Sequence, residues 1–296
     1  MKKLLSTICA FALTFGCVLG ATSCGNKTND DNNKSSDVLK LVNVNLTEES
    51  YAYAINKGNS ELKDSFNSYL TEIKSNGTFD LIKKKYLEGE GEKVGLNVSE
   101  TVSAGDSSTG STADKLVVLT NTNFEPFEFV GESDGKYYGI DMEIVKGFAE
   151  SQNKEIYLIE WIDFDSIVNQ ANQYANAIVA AGLTYDEDRA EIVDFTQTYF
   201  TTSQVIIAKA EDTTFDNCTT AEDVTAIISG MTNKKFGFQN GTQGAWFVDE
   251  YKNITPSGYK TAALAGQALA NGSIDYLVVD AEPAKAIVKA INEMNK

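Results

Sequence analysis

Residues 51–90 read YAYAINKGNSELKDSFNSYLTEIKSNGTFDLIKKKYLEGE. Residues 51–55 predict a short apolar strand. Asn59 has the chemistry of a helix N-cap, and Leu62, Phe66, Leu70 and Ile73 then recur on one helical face. Gly77 stops that helix, Thr78 can cap the next, and Phe79, Ile82 and Tyr86 mark a second buried stripe. Just upstream, LKLVNV at 39–44 partly alternates apolar and polar and predicts another strand. Two strands and two helices within residues 38–93 are too few to close a stable core. The block has the character of a protein's final stretch, placed near the beginning, and it needs a partner.

The chain has 296 residues, enough for one large or two small domains. It carries 42 Asp+Glu against 25 Lys+Arg, a formal charge of −17, which repels nucleic acid and anionic lipid surfaces. Histidine is absent, which removes Ser-His-Asp and Cys-His catalysis and leaves no expectation of a metal site or a cofactor. Residues 1–23 read as a signal peptide: a basic Met1-Lys2-Lys3 start, an apolar core and a small-residue end. The following Cys24-Gly25 resembles the lipidation site of bacterial lipoproteins, with Ala21 where that pattern prefers Leu. Residues 24–37 then form a polar tether carrying the lipidated Cys24. Processing would leave Cys218 as a lone thiol, read as a small buried hydrophobe.

Residues 94–114, centred on SAGDSSTGSTAD, form a Ser/Thr/Gly-rich linker. From residue 115 onward, apolar strands alternate with helices. Strands are predicted at 115–120, 156–160, at VIIAK (205–209), KKFGF (234–238) and YLVVD (276–280). Helices are predicted near 142–152, 164–174, 187–192 and 220–228, after Gly241, and up to Met294. Such alternation predicts an α/β fold with mainly parallel sheets.

Six stretches carry a family resemblance, in order: TNTNFEPFEF (120–129), YGIDMEI (138–144), DFDSI (163–167), AAGLTYDEDRAEIVDFTQTYF (180–200), KKFGFQNGTQGA (234–245) and DYLVVDAEPAKAIV (275–288). Together they resemble the polar-amino-acid solute-binding proteins of ABC importers, which share the two-lobed type II periplasmic-binding fold. In that family the words LTEE-SYAIAV-KKGN-EL and a DGT-type turn follow the last helix. Here their counterparts stand at 39–86. The resemblance therefore implies a circularly permuted protein, since surface termini lying close together tolerate such rearrangement. Lobe 1 is expected to comprise 47–93 plus 115–207, and lobe 2 to comprise 38–46 plus 208–296. The linker 94–114 would join the family's old C- and N-termini, and 51–55 should run beside 205–209. The rival accounts are that residues 38–93 are the remnant of a lost upstream copy, or that the block swaps into a second molecule to make a dimer.

A free amino acid needs a cation or oriented N–H groups for its carboxylate and an anion for its ammonium. The resemblance implies that Arg189, following GLTYDED, binds the carboxylate through two parallel hydrogen bonds. On residue type alone, Arg189 could equally be a surface group paired with Asp186, Glu187 or Asp188. Thr184 and the Ala181-Gly182 backbone correspond to positions that hold the carboxylate and the ammonium. Gly241 and Thr242 open a helix whose free N–H groups attract an anion, with Thr242 also a plausible plain N-cap. Asp280 matches the family's ammonium-binding Asp, against the alternative of a helix cap. Phe124 and Phe164 match aromatics that stack on the ligand, while Phe127, Phe129 and Trp246 read as packing. Asn121 and Gln239 occupy positions that vary with the preferred side chain, and being uncharged they imply a neutral, polar ligand over Lys or Arg.

The resemblance thus implies a non-enzymatic binding lipoprotein on the outer face of the cytoplasmic membrane. It would capture a free L-amino acid by hinge closure and pass it to ABC permease subunits. Arg189, Thr184 and Phe124 would lie on one lobe, Thr242 and Asp280 on the other. A dehydratase on the same fold, with Glu125 or Glu128 as acid or base, and a ligand-sensing receptor module are the rival readings.

Overall fold

The strands Leu116–Thr120 and Tyr276–Asp280 are buried at every residue, as uninterrupted apolar runs are when both faces of a sheet are covered. Each lies within a separate sheet of a computed structural model that describes residues 37–96, 98, 101–103, 112 and 114–296. The expectations for the signal peptide, for Cys24 and for nearly all of the tether fall on residues outside the described set. No helix among the described residues is long and apolar enough to cross a membrane.

The first sheet orders its strands Val193–Phe195, Ala54–Asn56, Ala177–Val179, Leu116–Thr120, Ile156–Glu160 and Thr101–Ser103. The second runs Leu39–Val42, Gln204–Lys209, Tyr276–Asp280, Lys235–Gln239 and Thr255–Tyr259. Neighbours at one end of each sheet are parallel, as expected. The strands brought in by residues 39–56 and 193–209 pair antiparallel. Between the two sheets, Glu49–Tyr51 pairs with Phe200–Thr202. The chain thus passes from lobe to lobe twice, and the two crossings lie side by side.

These crossings correct two expectations. Residues 51–55 do not run beside 205–209; Tyr51 pairs with Phe200 and Ala54–Asn56 with Val193–Phe195, while Leu39–Val42 faces Gln204–Lys209. Because the partners are antiparallel along the whole crossing, each step forward in one moves the contact backward in the other. For the same reason the lobe boundary set at 207/208 falls inside Gln204–Lys209, a strand whose pairing lies wholly in the second sheet. The change of lobe occurs at Ser203, between two strands.

The block 38–93 packs on the remainder as one structure. Asn59 caps the helix Ser60–Ser75 by accepting from the Leu62 N–H at 3.1 Å. That helix buries Phe66, Leu70 and Ile73, and Phe66 meets Phe148 edge-on with ring centroids 4.7 Å apart. The next helix, Thr78–Lys83, begins one residue earlier than read: Gly77, in the left-handed region, is its N-cap and Thr78 its first residue. Within the expected linker, Leu96 bridges to Tyr137 and Thr101–Ser103 adds a parallel edge strand to the first sheet. Three residues of β-favouring backbone are too short a signal to stand out in a Ser/Thr/Gly-rich stretch. Cys218 is half-buried against the second lobe's core.

Candidate functional site

Four strands end at one place. Asn121 follows Leu116–Thr120, and Ala181, Gly182 and Thr184 follow Ala177–Val179. On the other lobe Gln239 ends one strand and Asp280 another. Carboxyl ends of parallel strands are where α/β sheets leave a crevice for a ligand. A small, nearly filled cavity of about 10 Å³ lies there. Asn121, Phe124, Phe164, Ala181, Gly182, Thr184, Arg189, Gln239, Thr242 and Asp280 all line it, joined by Glu128 and Gln243. Gly241 is not in the lining; its carbonyl instead accepts a hydrogen bond from Arg189 Nη2 at 2.7 Å.

Arg189 is 9% exposed, which rules out the surface-pair reading. Asp186 spends its carboxylate on capping the short helix, accepting from the Arg189 backbone N–H at 3.1 Å. The guanidinium donates to the Thr184 carbonyl at 2.9 Å and to Gly241 across the cleft. It lies between two rings, 5.6 Å from the Phe164 centroid and 5.2 Å from that of Trp246. Trp246 was read as packing; it is 41% exposed and covers Arg189 from the second lobe. Phe127 is fully buried, as a packing residue should be.

Two glycines set the close approaches. Gly182 has φ +50°, and a Cβ there would sit 2.7 Å from the Phe124 ring. Gly241 has φ +73°, and a Cβ there would lie 2.4 Å from Asp165 Cα on the opposite lobe. The two lobes therefore meet backbone to backbone at Gly241. Asn121 Oδ1 accepts from Gln239 Nε2 at 3.0 Å, so the two residues expected to select the side chain pair with each other across the cleft. Lys260 and Asp163 add an exposed ion pair at its rim, 3.4 Å apart. Thr242 takes its capping role, accepting from the Ala245 N–H at 3.4 Å and donating to the Gln239 carbonyl.

Asp280 precedes the helix Ala281–Met294 but makes no side-chain capping bond. Its Oδ1 accepts from the Tyr51 hydroxyl at 2.6 Å. Burial and then the nearby Glu49 push Asp280 up to about 7. Burial pulls Arg189 down, against the attraction of Asp186, Asp280 and Glu49.

Three acidic residues escaped the sequence reading as parts of a binding site. Glu128 was considered only as an enzyme's acid or base. It is 1% exposed, it lines the cavity, and its Oε2 has no hydrogen-bond partner among the described residues. Burial, then Asp141 and Asp280, hold it well above the usual carboxylate range. Glu49 accepts from the Thr184 hydroxyl at 3.0 Å and from Gln204 Nε2 at 3.4 Å. Asp141 accepts from the Gly182 N–H at 3.0 Å and from the hydroxyls of Tyr199 at 2.5 Å and Tyr53 at 3.2 Å. Burial, partly offset by those three donors, pushes it up to about 6. A Glu between Phe127 and Phe129, and a Glu two residues before Tyr51 on one strand face, were the available signals.

Comparison with known proteins accords with this geometry. Residues 116–296 match the family described as bacterial extracellular solute-binding proteins, family 3. A probable histidine-binding protein of Campylobacter jejuni is 26% identical over 182 residues, covering 62% of this chain and 66% of its own length. An arginine-binding protein of an Escherichia coli ABC transporter is 24% identical over 56% of this chain and 63% of its own. The chain thus spans less than two thirds of either relative. Among solved structures, the arginine-bound form of truncated ArgBP from T. maritima superposes with a TM-score of 0.53 at 27% identity. That match covers 60% of this chain and 78% of the other. The fold is the two-lobed type II periplasmic-binding fold.

Proposed function

Because the chain belongs to the bacterial extracellular solute-binding proteins, family 3, we propose that it captures a free amino acid with a cationic side chain between its lobes and delivers it to an ABC importer. The observation that carries the choice of ligand is Glu128, a buried carboxylate on the cavity wall with an unpartnered oxygen. Burial without a partner disfavours the ionised form of this carboxyl, and a ligand cation beside it would restore the charge as an ion pair. Arg189 retains guanidinium donors beyond the two it gives to carbonyls, enough for an α-carboxylate. Asp280 faces the ammonium, and Phe124 and Phe164 flank the aliphatic stem. This replaces the neutral ligand expected from Asn121 and Gln239, whose side chains are joined across the cleft while the Asn121 amide donates to the Trp161 and Ile162 carbonyls. The names of the arginine- and histidine-binding relatives support the same class.

Capture proceeds by closure of the lobes about the paired crossings, with Gly241 against Asp165 as the closed contact. The circular permutation is part of the same reading. It is supported by the family match starting only at Leu116 and by residues 39–56 supplying strands to both sheets. Attachment of Cys24 to lipid rests on the leader sequence and places the protein on the outer face of the membrane. A thermal-shift screen of the twenty amino acids tests the ligand class: L-arginine, L-lysine or L-histidine should raise Tm, since a ligand that binds only the native state stabilises it. A shift with L-glutamine or L-leucine and none with the cationic three would overturn it.

A further inference from the structure

Glu49 comes from the block that the family match does not cover; it does not line the cavity itself but holds the hydroxyl of Thr184, which does. Glu49 is 7% exposed, and Asp280 is 4% exposed. Gln204 links them: it lies opposite Asp280 in the strand ladder, while its amide donates to Glu49 Oε2 at 3.4 Å. Tyr51, two residues beyond Glu49, donates to Asp280 at 2.6 Å. The charged groups facing Asp280 are therefore Glu49 from the crossing, Glu128 from the first lobe and Arg189. Both side-chain hydrogen bonds of Arg189 go to carbonyls and neither to a carboxylate.

Buried like charges with no cation in direct contact cannot all stay ionised at little cost. We propose that Glu49 is a positioning residue that keeps a proton on Asp280 in the empty cleft, and that the arriving ligand ammonium expels it. The O–H bond of the Asp280 carboxyl breaks, its electron pair stays on oxygen, the proton passes to solvent, and the ammonium takes its place. Glu49 also holds the Thr184 hydroxyl, so a single residue of the 38–93 block couples the first lobe's anchor to the second lobe's acid. Burial raises Asp280 most and Glu49 adds to it, opposed by the donors Tyr51 and Gln204, in agreement with this. The inference rests on the amino-acid reading above for the identity of the incoming cation.

The test has two arms on the full chain. Carbon-13 NMR titration of the empty protein should show the Asp280 carboxyl ionising near neutral pH. In Glu49→Gln its midpoint should fall by about one unit or more. An Asp280 already ionised throughout, or a midpoint unmoved by Glu49→Gln, overturns the proposal, and an ionised wild-type Asp280 overturns it even if the variant does not fold. The second arm is calorimetry with L-arginine at about pH 6 in two buffers of different ionisation enthalpy. Wild type should release roughly 0.5–1 proton per arginine and Glu49→Gln much less. Arginine binding without proton release contradicts the expulsion step. Absence of any arginine binding instead sinks the ligand reading, and the NMR arm still decides the role of Glu49.

Discussion

Asn292, in the last helix, holds the start of the first described strand. Its Oδ1 accepts from the backbone N–H groups of Val38 and Leu39, each at 2.9 Å, and its Nδ2 donates to the Leu39 carbonyl at 2.9 Å. The two sites are 253 residues apart in sequence. In a protein of the cyclic order proposed above, this contact joins a helix to the strand that would otherwise follow it directly. Asn292 is 7% exposed, so its loss strands three backbone groups in a buried place. Asn292→Ala should cost about 2–3 kcal/mol of stability, read by denaturant unfolding, with arginine affinity little changed.

Glu128→Gln removes the negative charge and keeps the shape. Arginine affinity should fall by roughly 10- to 100-fold, the worth of a charged hydrogen bond. Affinity for L-glutamine should stay level or rise. Calorimetry with both ligands reads the difference, and equal losses for the two would mean that Glu128 does not face the side chain.

Arg189→Ala deletes the bridge between the Thr184 and Gly241 carbonyls as well as the proposed carboxylate clamp. The loss in binding should be about 2–5 kcal/mol. Arg189→Lys should rescue little of it, because an ammonium cannot reproduce the planar fork or lie between Phe164 and Trp246.

For pH, Asp280 is raised from 3.8 in the unfolded chain to about 7 in the fold. The native state then binds more protons than the unfolded state between those values. Its contribution to stability is thus full at the acid end and declines as pH rises towards 7. Asp141, raised to about 6, acts in the same direction. The melting temperature of empty Asp280→Asn should therefore fall less than that of wild type between about pH 5 and pH 7.5. A steeper fall in the variant would contradict the raised value.

Much of this was legible in the residues because apolar runs, caps and cleft motifs are local signals. Tyr276–Asp280 announced an apolar strand, Asn59 a helix start, and the words around Thr184 and Arg189 a binding edge. What escaped was set by contacts between distant segments. The register of residues 49–56 against 193–202 depends on antiparallel pairing that neither segment specifies alone. Glu49 carried no sign of burial in the sequence, and Glu128 stood out only as a rival enzyme's acid or base, until the fold buried both. Trp246 passed for packing because its ring reaches Arg189 only when the lobes meet.

The most direct measurement is a crystal structure of the full chain with L-arginine. It should place the α-carboxylate on Arg189, the ammonium between Asp280 and the Gly182 carbonyl, and the guanidinium on Glu128. Residues 38–93 of the same molecule should complete both lobes. Arginine bound away from these residues, or a block 38–93 seated on a neighbouring molecule, would contradict the account.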